Sequence, residues 1–218
     1  YASAGFSLVS YTGTGADGTV GHGLGVTPDA IILKNRDRSV DWVVKHKSLT
    51  SGYINYLNLN GVPDGATGGN NGIIADLSSS SNFSITRTSN SGNYNLVGVN
   101  GEDYIAFCFS SVEGYSKFGT YQTNGVSGDG PFIYLGFRPA FFLHKRTDDG
   151  SSNSDWRIWD NKREGVNINP IEIMLQPNSS DADYDSANVA MDFVSNGVKV
   201  RATDTGNNVP TGGNFIYF

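Results

Sequence analysis

Internal repetition constrains this chain more than any other feature. Gly25-Val26-Thr27-Pro28 returns as Gly136-Phe137-Arg138-Pro139 at an offset of 111. Upstream, Tyr11 and Gly15 match Tyr121 and Gly125; downstream, Lys34 matches Lys145, Asp41-Trp42 matches Asp155-Trp156 and Leu59 matches Leu175. Gly101, Ile105 and Phe107 then match Gly212, Ile216 and Phe218, again at 111. Eleven identities thus recur in one order, and the offset drifts only across longer loops of the second copy. A period near 110 residues is too long for a short-repeat solenoid. It predicts two related units, 1–112 and 113–218, with a short junction around Ser111-Val112-Glu113-Gly114.

Each unit reads as a run of strands. In the first they are expected near 6–11, 30–35, 41–47, 53–59, 82–88 and 104–110. In the second they are expected near 116–122, 131–135, 140–146, 155–160, 171–175, 189–194, 197–202 and 214–218. Alternation is clear in Trp42-Val43-Val44-Lys45-His46 and Val198-Lys199-Val200-Arg201. Turn-forming clusters separate the strands, among them Gly13–Gly18, Gly65–Gly72 and Gly206-Asn207-Asn208. Gly makes up 28 of 218 residues and only 17% are charged, which disfavours long helices. The expected class is all-β: two tandem antiparallel β-sandwich, jelly-roll-like units related by duplication.

The repeated residues have mechanical roles. Pro28 and Pro139 suit strand entrances, since Pro fixes φ and brings no N–H. The apolar runs Ala30–Leu33 and Phe141–Leu143 follow them and read as inner strands. Trp42 and Trp156 open the next strand as core anchors, an exposed sugar platform being the other reading. Trp159 stands where the first unit has Lys45, so a unit-specific surface is expected there.

Several function classes lose support. Net charge is −6 with no basic stripe, which argues against nucleic acid as a partner. No stretch of eighteen apolar residues suggests membrane insertion, and no signal peptide is visible at the first residues. Cys108, the single cysteine, falls in the apolar run Tyr104–Phe109 and reads as a buried thiol. Glycoside hydrolysis needs two carboxyl groups about 5–9 Å apart. Glu102 and Asp103 are neighbours on opposite strand faces, and Glu113, Glu164 and Glu172 form no array. His22 has no second ligand at zinc spacing. No G-x-S-x-G elbow and no phosphate loop with a following Lys-Ser/Thr is present. Asp181, Asp183 and Asp185 open like a calcium loop with Asp192 twelve positions in, but Ser186 replaces the required Gly and no helices flank it. An acidic loop is the stronger reading and calcium the weaker. No catalytic residue, cofactor or required metal is expected.

The string Gly5–Gly13 with Val20–Lys34 resembles a duplicated β-rich domain of tail-fibre and other virion structural proteins of marine bacteriophages. Tyr104–Phe109, Gly114–Gly119, Gly136–Pro139, Asp160–Arg163 and Phe193–Arg201 extend the resemblance over nearly the whole chain. It implies a non-enzymatic virion protein, folded in a bacterial cytoplasm and assembled with other virion proteins. A homo-oligomer, a trimer by analogy with tail fibres, and contact with a host surface glycan or protein are further implications. Members of that group run on past the strand ending here at Phe218, so the chain is expected to be part of a longer protein. A carbohydrate-binding or lectin-like module and a jelly-roll polysaccharide hydrolase are the alternatives.

Loops carry recognition on rigid scaffolds. The stretch Arg146–Asn153 is longer than its counterpart Asn35–Val40, and Trp159-Asp160-Asn161-Lys162-Arg163 follows. Trp159, Asn161 and Arg163 are therefore the expected receptor or glycan contact.

Overall fold

The structure, a computed structural model, describes residues 2–51, 53–65, 73–86, 96–150, 154–165, 168–208 and 211–218. The glycine-rich residues 66–72, the end of the strand expected at 82–88 and the loop residues 151–153 lie outside that description. The chain divides into two compact units, 1–57 with 63–112, and 58–62 with 113–218.

The first unit holds β1 (Phe6–Thr12), β2 (Gly18–Gly21), β3 (Ala30–Asn35), β4 (Val43–His46), β5 (Tyr53–Tyr56), β6 (Asp64–Gly65), β7 (Ile73–Ile74), β8 (Asn82–Thr86) and β9 (Asp103–Phe109). One antiparallel sheet runs β1-β9-β3-β4-β5-β6 and a smaller one runs β2-β8-β7. In β9 every second residue is buried, which turns Tyr104, Ala106 and Cys108 inward. They meet Ile31, Leu33 and Val43 of the same sheet and Ile74, Phe83 and Ile85 of the smaller one. The arrangement is sandwich-like, two sheets sharing one apolar core. Burial without a compensating partner pushes the Cys108 thiol up to about 12.

The second unit holds β10 (Gly119–Gln122), β11 (Phe132–Tyr134), β12 (Phe141–Arg146), β13 (Arg157–Asp160), β14 (Ile173–Met174), β15 (Tyr184–Asp185), β16 (Met191–Val194), β17 (Gly197–Val200) and β18 (Asn214–Tyr217). Its sheets run β10-β18-β12-β13 and β11-β17-β16, with a separate β14-β15 pair. Tyr121, Phe142, Trp159, Phe215 and Tyr217 from the first sheet share a core with Ile133, Met191, Phe193, Val198 and Val200 from the second.

Part of the strand order recurs between the units, although β5 and β6 extend the large sheet of the first and β14-β15 stand apart in the second. β1-β9-β3-β4 corresponds to β10-β18-β12-β13, and β2-β8-β7 to β11-β17-β16. Tyr11 stacks on its cross-strand partner Tyr104 at 5.0 Å, and Tyr121 stacks on its partner Phe215 at 4.9 Å. The corners match as well. Gly101 N–H donates to Gly13 O and Gly212 N–H donates to Thr123 O, both at 2.8 Å. Gly101 and Gly212 have φ of +78° and +83°, a left-handed backbone that a side chain would strain.

The repeated anchors sit as follows. Pro28, Pro139 and Trp156 are buried, whereas Trp42 is only half-buried and is no core anchor. Neither Trp belongs to the core between the sheets. Trp42 lies 6.4 Å from Phe107 and Trp156 lies 5.8 Å from Phe218, ring to ring. Phe107 alternates with the inward Ala106 and Cys108, so Trp42 packs on the opposite sheet face, with Lys34 Nζ 5.9 Å above its ring.

Candidate functional site

The expected contact surface at Trp159 is corrected by the structure. Trp159 pairs with Phe142 in β12 and faces the core, with 0% of its surface exposed. Its Nε1–H donates to Val189 O at 3.1 Å, which satisfies the indole inside the unit. A sugar cannot stack on it. Alternation in β13 is the cause: Arg157 and Trp159 face inward, Ile158 and Asp160 do not. Asn161 is half-buried, and its N–H donates to Ala140 O. Arg163 is exposed but engaged, with Nε on Asp160 at 2.7 Å and Nη1 on Asp183 at 2.6 Å. The three residues make no common site.

The acidic candidates are likewise spread apart. Asp183 is held by Arg163, and Asp181 accepts from Ser179 Oγ at 2.5 Å. Asp185 lies in β15. No group of three or more His, Cys, Asp or Glu among the described residues is placed to hold a metal. Glu102 accepts from Asn35 Nδ2 at 2.6 Å and pairs with Arg38, while Asp103 accepts from Thr12 Oγ1 at 2.8 Å. Glu172 N–H donates to Glu164 at 2.6 Å. Glu102, Asp103 and Glu164 thus accept hydrogen bonds from other segments of their own unit.

A cavity of about 360 Å³ in the first unit lies beside β1 and β2. Its lining is small and uncharged: Ser10, Thr12, Thr14 and Thr19 supply hydroxyls, and Tyr11 the largest ring. The Tyr11 hydroxyl is committed to Val97 O at 2.6 Å, and burial holds its pKa far above the ordinary value. The lining offers no carboxylate, imidazole or thiol.

Inside the second unit a buried polar group surrounds His144. Its Nδ1 shares a 2.7 Å hydrogen bond with the Tyr121 hydroxyl. Trp159 and Phe215 flank the imidazole at 4.9 Å. Arg157 binds Asp204 at 2.7 Å, and Asn207 Nδ2 donates to the same carboxylate at 2.6 Å. Burial, then the Arg157 charge, hold the His144 pKa well below 6.5, outweighing the opposing contact of Asn207. His144, Arg157 and Asn207 are buried, while Asp204 is partly exposed.

The surface feature with chemistry is on β11. Phe132 and Tyr134 flank the inward Ile133 and are 46% and 61% exposed. A Cβ on Gly197 would lie 3.0 Å from Phe132 Cζ, so this ring leans across a residue with no side chain. The tip of the Tyr134 ring lies over Gly136 in the same way, its hydroxyl 3.6 Å from where a Cβ would stand. Lys117 Nζ sits 4.9 Å from the Tyr134 ring centroid and donates to Tyr134 O at 2.9 Å. On the same sheet face Lys199 pairs with Asp129 and Arg201 with Asp192, at 2.6 and 2.7 Å. The sequence carries this signal as aromatics at i and i+2 around a buried Ile.

Five of the six exposed aromatics among the described residues belong to the second unit: Tyr115, Phe132, Tyr134, Phe141 and Tyr184. No helix among the described residues is long and apolar enough to cross a membrane. Comparison with the curated proteins and with the solved structures gave no match. The family model described as Domain of unknown function (DUF7483) matches residues 1–218, and the chain belongs to that family.

Proposed function

We propose that the chain is a non-enzymatic structural module of a bacteriophage virion, of the tail-fibre or surface kind, and that it meets the host surface. The observation that carries this reading is the pairing of a partly shared strand order in the two units with a strongly unequal surface. Two copies of one sandwich frame, related by duplication, account for the matched order, the matched stacks at Tyr11 and Tyr121 and the matched glycine corners. A frame whose carboxylates Glu102, Asp103 and Glu164 are engaged by its own segments suits load-bearing and binding work. The resemblance to virion proteins supplies the setting, with a homotrimer as the assembly.

A carbohydrate-binding module outside any virus is the second reading, favoured by the exposed Phe132 and Tyr134. The hydrolase alternative has less support, because Glu102 is engaged by Asn35 and Arg38. Peptide mass spectrometry and antibody labelling of purified particles from the source bacterium test the proposal. The chain should copurify with particles in fixed stoichiometry and label one feature of them. Its absence from intact particles would refute the virion role. Sedimentation equilibrium tests the trimer separately.

A further inference from the structure

The frame itself does not require the aromatic pair on β11. β2 holds the matching place in the first unit, with Val20 against the core where β11 has Ile133. Its outer positions carry Thr19 and Gly21 instead of Phe132 and Tyr134, and its sheet has the matching strand order. Two large rings left exposed on one face are therefore an addition to the frame. Exposed aromatic surface costs solubility unless a partner uses it.

We infer that the outer face of β11, β17 and β16 is a binding site for a neutral saccharide, with Phe132 and Tyr134 as its stacking surface. This rests on the reading of the chain as a non-catalytic module that meets a host surface, and names the ligand class. Residues at i and i+2 of a strand stand about 7 Å apart on one face, a span of one to two linked pyranose rings. Phe132 leans on Gly197, with nearly half its surface left to solvent. The faintly positive C–H face of a pyranose complements the negative face of an aromatic ring.

The electrostatics select a neutral ligand. Lys199–Asp129 and Arg201–Asp192 neutralise one another on this face, Lys117 adds a cation whose ammonium is held at the Tyr134 ring and carbonyl, and the chain carries a net charge of −6, which disfavours a polyanion. An added protein strand is disfavoured by Lys117. β11 is an edge strand, and Lys117 Nζ already occupies the Tyr134 carbonyl that such a strand would need. The Lys and Arg groups of this face retain N–H donors for sugar hydroxyls, and the carboxylates can accept from them.

Native affinity electrophoresis through gels containing a soluble glucan, galactan, mannan or xylan tests the site, with polygalacturonate as the anionic control. At least one neutral polysaccharide should retard the wild-type chain while polygalacturonate does not. Phe132→Ala or Tyr134→Ala should weaken binding about tenfold each, a difference of roughly 1.4 kcal/mol. The double variant should migrate as in a blank gel. Tyr115→Ala and Phe141→Ala, which remove exposed rings elsewhere, should bind like wild type. The Leu pair, Phe132→Leu with Tyr134→Leu, guards against misfolding, since it keeps apolar bulk but removes the ring faces. It should also lose binding. Retardation by none of the neutral gels, retardation by polygalacturonate alone, or a Leu pair that binds like wild type would each overturn the inference. So would a wild-type oligomer that falls apart in the Ala pair and binds no saccharide, since the face would then join copies of the chain. The particle test reads independently. A chain present on particles that binds no saccharide loses this site and keeps its role, and a saccharide-binding chain absent from particles does the reverse.

Discussion

His144 makes the second unit sensitive to mild acid. The imidazole is fully buried between Trp159 and Phe215, with Tyr121 on Nδ1 and the Arg157 cation nearby. Its folded-state pKa is held well below 6.5, so the folded unit resists a proton that the unfolded chain takes up. The stability present above about pH 6.5 is lost as pH falls through that value toward the folded pKa. The slope for one such group does not exceed about 1.4 kcal/mol per pH unit, which sets a ceiling of about 2 kcal/mol between pH 6.5 and 5. His144→Leu places in the second unit the residue found at the matching position of the first, Leu33. It leaves the Tyr121 hydroxyl unpaired, which costs about 1–3 kcal/mol at neutral pH. Urea melts of the second unit, followed by Trp156 and Trp159 fluorescence, should show wild type more stable at pH 7.5 and the gap narrowing, by no more than about 2 kcal/mol, at pH 5. Parallel pH profiles for the two proteins would refute the buried neutral imidazole.

Trp156→Ala and Trp159→Ala should each cost about 3–5 kcal/mol in denaturant melts, since both rings are fully buried, and the half-buried Trp42→Ala should cost less. A Trp159→Ala loss as small as that of a surface residue would contradict its core placement. The Cys108 thiol should not react with a thiol reagent at pH 8 in the folded protein and should react at once in urea, because burial raises its pKa to about 12. Arg163→Ala should change stability by less than about 1 kcal/mol, since both of its ion pairs face solvent. A larger loss in melts would show that those pairs order the β13 end.

The long strands were legible because their patterns are long. β1, β3, β9, β12 and β18 fall inside the segments expected from alternation and apolar runs, apart from a residue or so at the ends. β2 was missed because Gly18-Thr19-Val20-Gly21 carries turn residues and a single inward side chain, and its pairing with β8 is a tertiary fact. β6, β7 and β15 are two residues each and have no periodicity to read. Sheet partition was also hidden. Offsets in the sequence say that strands correspond, while the order β1-β9-β3-β4 depends on which edges meet in space.

The misplacement of Trp159 has a specific physical origin. Lys45 stands at its place in the first unit, and a Lys in an alternating strand reads as a solvent position. Yet Lys45 pairs with Ile31 as Trp159 pairs with Phe142, and it is buried too. Its ammonium donates to the Thr50 and Tyr53 carbonyls at 3.1 and 2.8 Å, and burial lowers its pKa. The frame thus fixes an inward position and leaves its chemistry open, provided the polar end finds a carbonyl. Trp159 meets the same condition with one N–H on Val189 O. Comparing the two units identifies equivalent positions but not their environment, because a charged residue can satisfy the same buried slot as an aromatic one. The outer positions obey no such condition. Thr19 and Gly21 in one unit and Phe132 and Tyr134 in the other are equally compatible with the pairing of their strands. Differences between the units at inward positions therefore report how each core is filled. Differences at outward positions such as these are where a binding function can be added to the frame without altering it.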